Sequence, residues 1–544
     1  MKQPEDLKGD YIGRTASDDN EAPDFEEVPI WIDPSKDGSQ SGTVFDNDVP
    51  DPDLNSFAVI ERGNDKILQY GRVSSGYEYS SRAEPGIQQR DKSMGYEARE
   101  IRESPLDEDV FRVIRVELLG EVKFKDESEL KDPDEKRWEL RRPTKLPQVG
   151  QKVYELGASE LATLLEMPSA EDGLEIGSIE SGGESVPFRL DQKFISRHVA
   201  ILGRTGVGKT HTGHVIIEEM IRHNRDEQGV PVVTFDAEDD VGNMAEDVGG
   251  ITLKPEDDTM HVPFQVIGWS EYSRFLGSMA TEKQRQVIAR AYSRIHREAL
   301  ENLENDGEIG VGIREFKQYV IESASNFDYN RTEQAVIRAT SVITGSSVLS
   351  GSMNDWEDLL RENPIVNIDI SGLGDSNRGI VVSAVARLLR ILRTENQVPP
   401  FMLAIDEAHE FVPSGTSNQS TAVVRDLVKT ARHIGIGVML MTQSPSELDS
   451  RTLRTCNTYI TLALSKPEVN EIKGLLSDLS DRSLTQIPNM ERGRAFVGAA
   501  RDIMTHTVPV EVRGRETEGG TPTPNLFERS ETWFDQSGGR QQEE

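Results

Sequence analysis

The sequence predicts an α/β fold: a parallel-stranded core with a helical insertion, preceded by a small β region. Three observations predict it. The pattern G-x-x-x-x-G-K-[ST] occupies Gly203-Arg204-Thr205-Gly206-Val207-Gly208-Lys209-Thr210, between the apolar run Val199-Ala200-Ile201-Leu202 and a helix-like run from His214 to Met220. Further apolar runs downstream alternate with helical patterns, which implies a parallel sheet. Upstream, short β-like runs are punctuated by Pro, Gly and acidic clusters.

Residues 1–50 are rich in Asp, Glu, Gly and Pro with few apolar side chains, and their composition predicts a disordered acidic tail. Residues 51–190 hold the β-like runs, among them Phe57-Ala58-Val59-Ile60, Val110-Phe111-Arg112-Val113-Ile114 and Glu121-Val122-Lys123-Phe124. This region is a small barrel or a sandwich, with one short helix near Ala158 to Leu165.

Residues 191–513 form the α/β domain. After the first strand come Val232-Val233-Thr234-Phe235-Asp236, Ile365-Val366-Asn367-Ile368-Asp369, Phe401-Met402-Leu403-Ala404-Ile405-Asp406 and Val438-Met439-Leu440-Met441-Thr442. A helical insertion spans about residues 270–345. Thr281-Glu282-Lys283-Gln284 has the form of a capping box at a helix start. Val287, Ala291, Ile295 and Ala299 then recur at helical spacing, as do Ile313, Phe316, Val320 and Val336, Ala339, Ile343. Residues 514–544 read as a flexible tail.

A chain of 544 residues is too long for one core. Its net charge of -34 argues against a general basic coat for nucleic acid, but leaves a local DNA channel open. Acidic surface, scarce lysine and modest apolar content fit a halophilic protein living in molar salt. The single cysteine, Cys456, permits no intramolecular disulfide and fits a reducing cytoplasm. No apolar run reaches the ~20 residues of a membrane helix, and the N-terminus has no apolar signal core, so a cytoplasmic location without a membrane segment is expected.

The glycines of the loop let backbone amides wrap phosphates, and the following helix offers its positive dipole end to the same anion. Gly203, Thr205, Gly206, Val207, Gly208, Lys209, Thr210 and His211 are the expected ATP contacts. Lys209 neutralises the β- and γ-phosphates, and Thr210 is a Mg²⁺ ligand. Asp406-Glu407, at the end of an apolar strand, is the matching acid pair: Asp406 for Mg²⁺ through water, Glu407 to polarise the attacking water. The 197 positions from Lys209 to Asp406 are what the insertion would produce. Gln443 follows the next strand as a candidate γ-phosphate sensor, and Asp236 and Glu238 are candidates for the water side. Arg432 and Arg454 are candidate arginine fingers toward a neighbouring subunit. His409 either couples Glu407 to that subunit or caps a turn.

Assembled in order, these segments resemble the HerA family of hexameric DNA translocases, in the wider HerA–FtsK group of P-loop ATPases. The resemblance runs from Gly173-Leu174-Glu175-Ile176-Gly177 through Arg197-His198-Val199 into the P-loop. It continues through Ile368-Asp369-Ile370-Ser371, Ile405-Asp406-Glu407-Ala408-His409-Glu410-Phe411, Ala431-Arg432-His433-Ile434-Gly435, Thr442-Gln443-Ser444-Pro445-Ser446 and Cys456-Asn457-Thr458. It implies a RecA-like P-loop ATPase core with a small β-barrel stacked on its ring. It implies Glu407 as catalytic acid, Gln443 as sensor and Arg432 as a trans-acting arginine. It further implies a hexamer on double-stranded DNA, with a NurA-type nuclease as partner in end resection and break repair. Ser444 stands where the family often has Arg. Alternative readings are a conjugation- or secretion-type pumping ATPase, and a slow nucleotide-dependent switch or scaffold.

Overall fold

The computed structural model describes residues 3–16, 23, 27–32, 52–62, 67–80, 110–125, 127–129, 136–223, 229–257, 259–276, 280–327, 329–415, 419–500 and 504–517. The chain divides into two units, residues 1–191 with 459–513, and residues 192–458 with 514–544.

The first unit begins with β1 (Tyr11–Thr15), β2 (Glu27–Ile32), β3 (Phe57–Glu61), β4 (Ile67–Ser80), β5 (Val110–Phe124), β6 (Trp138–Arg141) and β7 (Lys152–Leu156). Antiparallel pairings run from β1 to β2, β5, β4, β3 and β7 and back to β1. Six strands thus close into a barrel, with β6 paired to the end of β5. Inward residues such as Ile12, Val28, Ile30, Ala58, Ile60, Ile114, Val116 and Val153 fill it. The β4–β5 register shifts after Tyr70, the kind of bulge that lets a long ribbon curve into a barrel. At the bulge Gly71 has no room for a Cβ, which would run into the Glu117 carbonyl.

The barrel corrects one expectation. Residues 11–15 and 27–32, assigned to a disordered tail, are strands of the barrel. Each contributes only a few apolar residues, Ile12 from one and Val28, Ile30 and Ile32 from the other, but all are buried once paired with distant strands. Averaged over a fifty-residue stretch rich in Asp and Glu, that signal disappears.

The hairpin β8 (Gly173–Ser181) and β9 (Glu184–Asp191) follows the barrel. It turns through Gly182 and Gly183, both at positive φ, the backbone that two-residue hairpins require.

The second unit holds β10 (Val199–Leu202), β11 (Val232–Asp236), β12 (Ile251–Leu253), the short pair β13 (Val262–Pro263) and β14 (Leu349–Ser350), β15 (Ile365–Asp369), β16 (Phe401–Ile405) and β17 (Ile436–Thr442). Six of them form one sheet in the order β12-β15-β11-β16-β17-β10. Every pairing in it is parallel. The strands are almost wholly buried, which is why they read as continuous apolar runs rather than alternating ones. This is the α/β, RecA-like arrangement expected. The helix Lys209–His223 packs so closely on the sheet that a Cβ at Gly213 would strike Met441 Sδ.

Between β13 and β15 lie the helices Trp269–Phe275, Glu282–Asp306, Ile313–Asn326, Thr332–Thr344 and Trp356–Glu362. Thr281 caps the second: its Oγ1 accepts from Gln284 N at 3.3 Å, and Gln284 Oε1 accepts from Thr281 N at 3.0 Å. Tyr292 anchors the bundle, stacked 4.3 Å from Tyr272 and donating its hydroxyl to the Phe264 carbonyl at 2.6 Å. Of the last expected stripe, Ala339 and Ile343 are buried and Val336 is half-buried, with Ala335 buried beside it.

The chain then returns to the first unit with β18 (Thr458–Thr461), β19 (Arg494–Ala499) and β20 (Val508–Val512), and β20 pairs with β8. Residues 459–513 therefore group with the barrel, not with the α/β core to which 191–513 was assigned. A buried ion pair ties them in. Arg72 on β4 meets Glu117 on β5 at 2.6 Å, donates to the Thr507 carbonyl at 3.1 Å and lies over the Phe496 ring. Of the expected C-terminal tail, residues 514–517 are described and 518–544 lie outside the described residues. No helix among the described residues is long and apolar enough to cross a membrane.

Candidate functional site

The Gly203–Thr210 loop joins β10 to the helix that begins at Lys209. Gly206 and Gly208 hold φ of +82° and +108°, conformations that side chains resist. Gly203 N donates to the Thr442 carbonyl at 3.2 Å, fastening the loop's start to the end of β17. Val207 and Lys209 are buried, Thr210 and His211 are half-buried in the first turn, and Thr205 is exposed at the rim.

Lys209 reaches across the sheet. Its Nζ donates to Asp406 Oδ1 at 3.1 Å and to Glu407 Oε1. Both carboxylates follow β16, and all three side chains are almost fully buried. Burial opposes the Lys209 charge, but Asp406 and Glu407 outweigh it and raise its pKa. Burial likewise pushes Glu407 up, while His409 and Lys209 pull harder and hold it below the usual carboxylate range.

Glu407 sits at φ +44°, ψ +47°, a left-handed conformation costing a non-glycine residue roughly 1 kcal/mol or more. Its Oε1 faces Lys209. Its Oε2 is buried and accepts no well-aligned hydrogen bond from the protein. His409 Nδ1 lies 3.2 Å from that oxygen, in charge contact but off the hydrogen-bond line. The Glu407 carboxylate raises the His409 pKa.

Gln443 follows β17, which lies between the P-loop strand β10 and the acid strand β16. The Thr205 hydroxyl donates to Gln443 Oε1, so the end of β17 touches the loop's rim. Asp236, at the end of β11, accepts backbone hydrogen bonds from Glu238, Asp240 and Val241 at 3.2, 3.1 and 2.9 Å. Its carboxylate thus shapes its own loop. Glu238 and Asp240 are the acids of that loop that feel the Asp406–Glu407 pair. Burial, then Asp406 and Glu407, raises the Glu238 pKa, and burial with Asp236 and Asp406 lifts Asp240 to about 6.

The structure therefore brings together Gly203, Thr205, Lys209, Asp406, Glu407 and Gln443. Arg432, on the helix Gln419–Ile434, and Arg454, on Ser450–Thr455, are both exposed and make no described contact with that group. Three features escape sequence reasoning: the Asp240 environment, the Thr442 side chain, and a C-terminal strap. In the strap, Glu218 Oε1 accepts from Glu516 N, Thr517 N and Thr517 Oγ1 at 2.9, 2.8 and 2.6 Å. Arg515 lies 3.4 Å from His214 on the same P-loop helix. The strap's polar sequence carries no signal apart from the tail it belongs to.

The glycine cradle, the buried lysine and the paired carboxylates suit a nucleoside triphosphate with Mg²⁺. Thr210 and Asp406 are the side chains whose chemistry fits the metal.

Residues 174–389 match the family model described as the central domain of helicase HerA. A probable helicase of Methanocaldococcus jannaschii is 24% identical over 396 residues, covering 70% of this chain and 74% of the relative. The DNA double-strand break repair helicase HerA of Pyrococcus furiosus is 22% identical over 414 residues, covering 65% of this chain and 72% of that protein. Among solved structures, VirB4 of Thermoanaerobacter pseudethanolicus aligns with a TM-score of 0.49 at 15% identity, over 64% of this chain and 98% of that one. That likeness is too loose to carry an argument. The P-loop site and the relatives together make the chain an ATP-hydrolysing enzyme.

Proposed function

Given that the chain belongs to the HerA family through its central domain, we propose that it is an ATP-driven translocase that encircles double-stranded DNA as a homo-oligomeric ring. The observation that carries the reading is the Lys209–Asp406–Glu407 cluster beneath a glycine loop, with Gln443 touching the loop rim. In it Lys209 holds the β- and γ-phosphates. Thr210 and Asp406 would hold Mg²⁺, which would supply positive charge to the phosphates. Glu407 Oε2, the buried oxygen without a hydrogen-bond donor, takes the proton of the attacking water. Gln443 senses the γ-phosphate, and Arg432 reaches a neighbouring subunit's nucleotide.

The net charge of -34 bears on how DNA is held. Phosphate contacts weaken steeply as salt rises. A protein adapted to molar salt cannot rely on charge for its grip, whereas a closed ring retains duplex by topology. A hexamer, a cytoplasmic location and a NurA-type nuclease partner in break repair belong to the same proposal.

The test is ATP hydrolysis in high KCl, with and without linear duplex, for the wild type and Glu407→Gln. Stimulation by DNA that disappears in the variant supports the reading. Hydrolysis that depends on Glu407 but ignores DNA removes the translocase and leaves a pump or a switch.

A further inference from the structure

We propose that His409 is a positioning residue that keeps the Glu407 carboxylate aimed for catalysis and ties it to the sensor strand. The proposal rests on the reading of Glu407 as the group that activates water. His409 lies on the short helix Ala408–Phe411, two residues after Glu407. Its Nδ1 stands 3.2 Å from Glu407 Oε2 and equally 3.2 Å from Thr442 Oγ1. One ring nitrogen therefore meets the catalytic carboxylate and the last residue of β17.

Thr442 is a junction in its own right. Its carbonyl accepts from Gly203 N, its hydroxyl oxygen accepts from Ser444 N at 3.2 Å, and its chain neighbour Gln443 meets Thr205. A continuous set of contacts thus runs from the loop rim through Gln443, Thr442 and His409 to Glu407. His409 Nε2 faces Glu447 Oε2 at 3.9 Å.

The need for such a residue follows from what Lys209 does. Lys209 and His409 contact one oxygen each of Glu407. Phosphates compete for the Lys209 ammonium, and as it turns to them Oε1 loses its charge partner. His409 then remains as the side chain in charge contact with the carboxylate. Glu407 also stands on a left-handed backbone, a conformation that the surrounding structure must hold. A general base must be held within hydrogen-bond reach of its water, and a displacement of about 1 Å costs about a hundredfold in rate.

The experiment is steady-state ATP hydrolysis plus the affinity for a fluorescent nucleotide, for wild type, His409→Ala, His409→Asn, Glu407→Gln and the double variant His409→Ala/Glu407→Gln. The Asn side-chain amide can replace the Nδ1 contact with Thr442 Oγ1, which holds the side chain beside Glu407. We expect His409→Ala to lower kcat about 10- to 100-fold, with KM and nucleotide affinity within about twofold. His409→Asn recovers most of the rate, and His409→Ala adds no further loss to Glu407→Gln. Thr442→Val, which removes the hydroxyl at constant shape, lowers kcat in the same direction and serves if His409→Ala does not fold.

Full kcat in His409→Ala, or a kcat loss matched by lost nucleotide affinity, or an additive loss in the double variant overturns the proposal. Wild-type turnover in Glu407→Gln overturns instead the reading of Glu407 itself, and this proposal with it.

Discussion

Lys209 Nζ lies 3.1 Å from Asp406 Oδ1, across 197 residues of chain, with both side chains buried. This contact joins the two halves of the proposed nucleotide site, and Glu407 also meets Lys209. A buried cation shared by two carboxylates satisfies itself, and it is also what a triphosphate must disrupt.

Replacing Lys209 therefore has two consequences. Lys209→Met abolishes detectable ATP hydrolysis. It also destabilises the nucleotide-free protein by about 3–5 kcal/mol, because two buried carboxylates are left without their cation. Chemical denaturation without nucleotide measures the second effect. A variant as stable as the wild type contradicts the structural part of the argument.

Glu407→Gln should lower kcat by about a hundredfold or more while keeping nucleotide affinity. The amide preserves shape and a donor-acceptor end but cannot take a proton. Equal losses in kcat and in affinity would assign Glu407 to binding instead.

Acid stability should depend on His198. This residue is buried at φ +65°, its Nδ1 accepts from Val438 N at 3.1 Å, and burial pushes its pKa down from 6.5 to about 4. The unfolded chain binds the proton first, so stability is unaffected above pH 6.5 and falls as pH drops toward 4, by about 3 kcal/mol for this group. His198→Asn keeps an acceptor for Val438 and suits the left-handed backbone. Its unfolding free energy should fall less steeply over that window, by up to one proton's worth of slope. An unchanged slope would mean that His198 does not titrate there.

In the barrel unit, Glu117→Ala should cost about 3–5 kcal/mol, because it strands the fully buried Arg72 guanidinium. Glu117 also accepts from Ser480 N and Ser483 Oγ, so its loss loosens residues 459–513 from the barrel. Faster proteolysis within 459–513 in the variant is the accompanying sign. A loss below about 1 kcal/mol would place the pair among salt bridges of surface strength.

If a ring retains DNA by topology, circular duplex should dissociate slowly in molar KCl and linear duplex much faster, because linear ends allow the ring to slide off. Dissociation rates measured on the two forms decide this. Equal rates would remove ring retention from the account.

Strands read from apolar runs, such as Phe401–Ile405 and Val438–Thr442, are strands in the structure, because a parallel sheet buried on both faces leaves a continuous signature. The Thr281 cap was legible because a capping box is local. β1 and β2 were not, since their stability lies in pairing with β5 and β7 far along the chain. The same holds for residues 459–513, held to the barrel by Arg72 and Glu117 rather than by any local pattern. In the site, Lys209 and the Asp406-Glu407 pair stand out by motif. The role of Thr442 emerges only from three dimensions, where His409 approaches it from another strand's end.

The central claim is nucleotide-driven movement along duplex DNA. The most direct measurement is displacement of a third strand from a linear triplex, in high KCl, with ATP, with a non-hydrolysable analogue, and with Glu407→Gln. The account predicts displacement by the wild type with ATP alone. Displacement without hydrolysis, or none by a wild type that hydrolyses ATP on the same DNA, would contradict it.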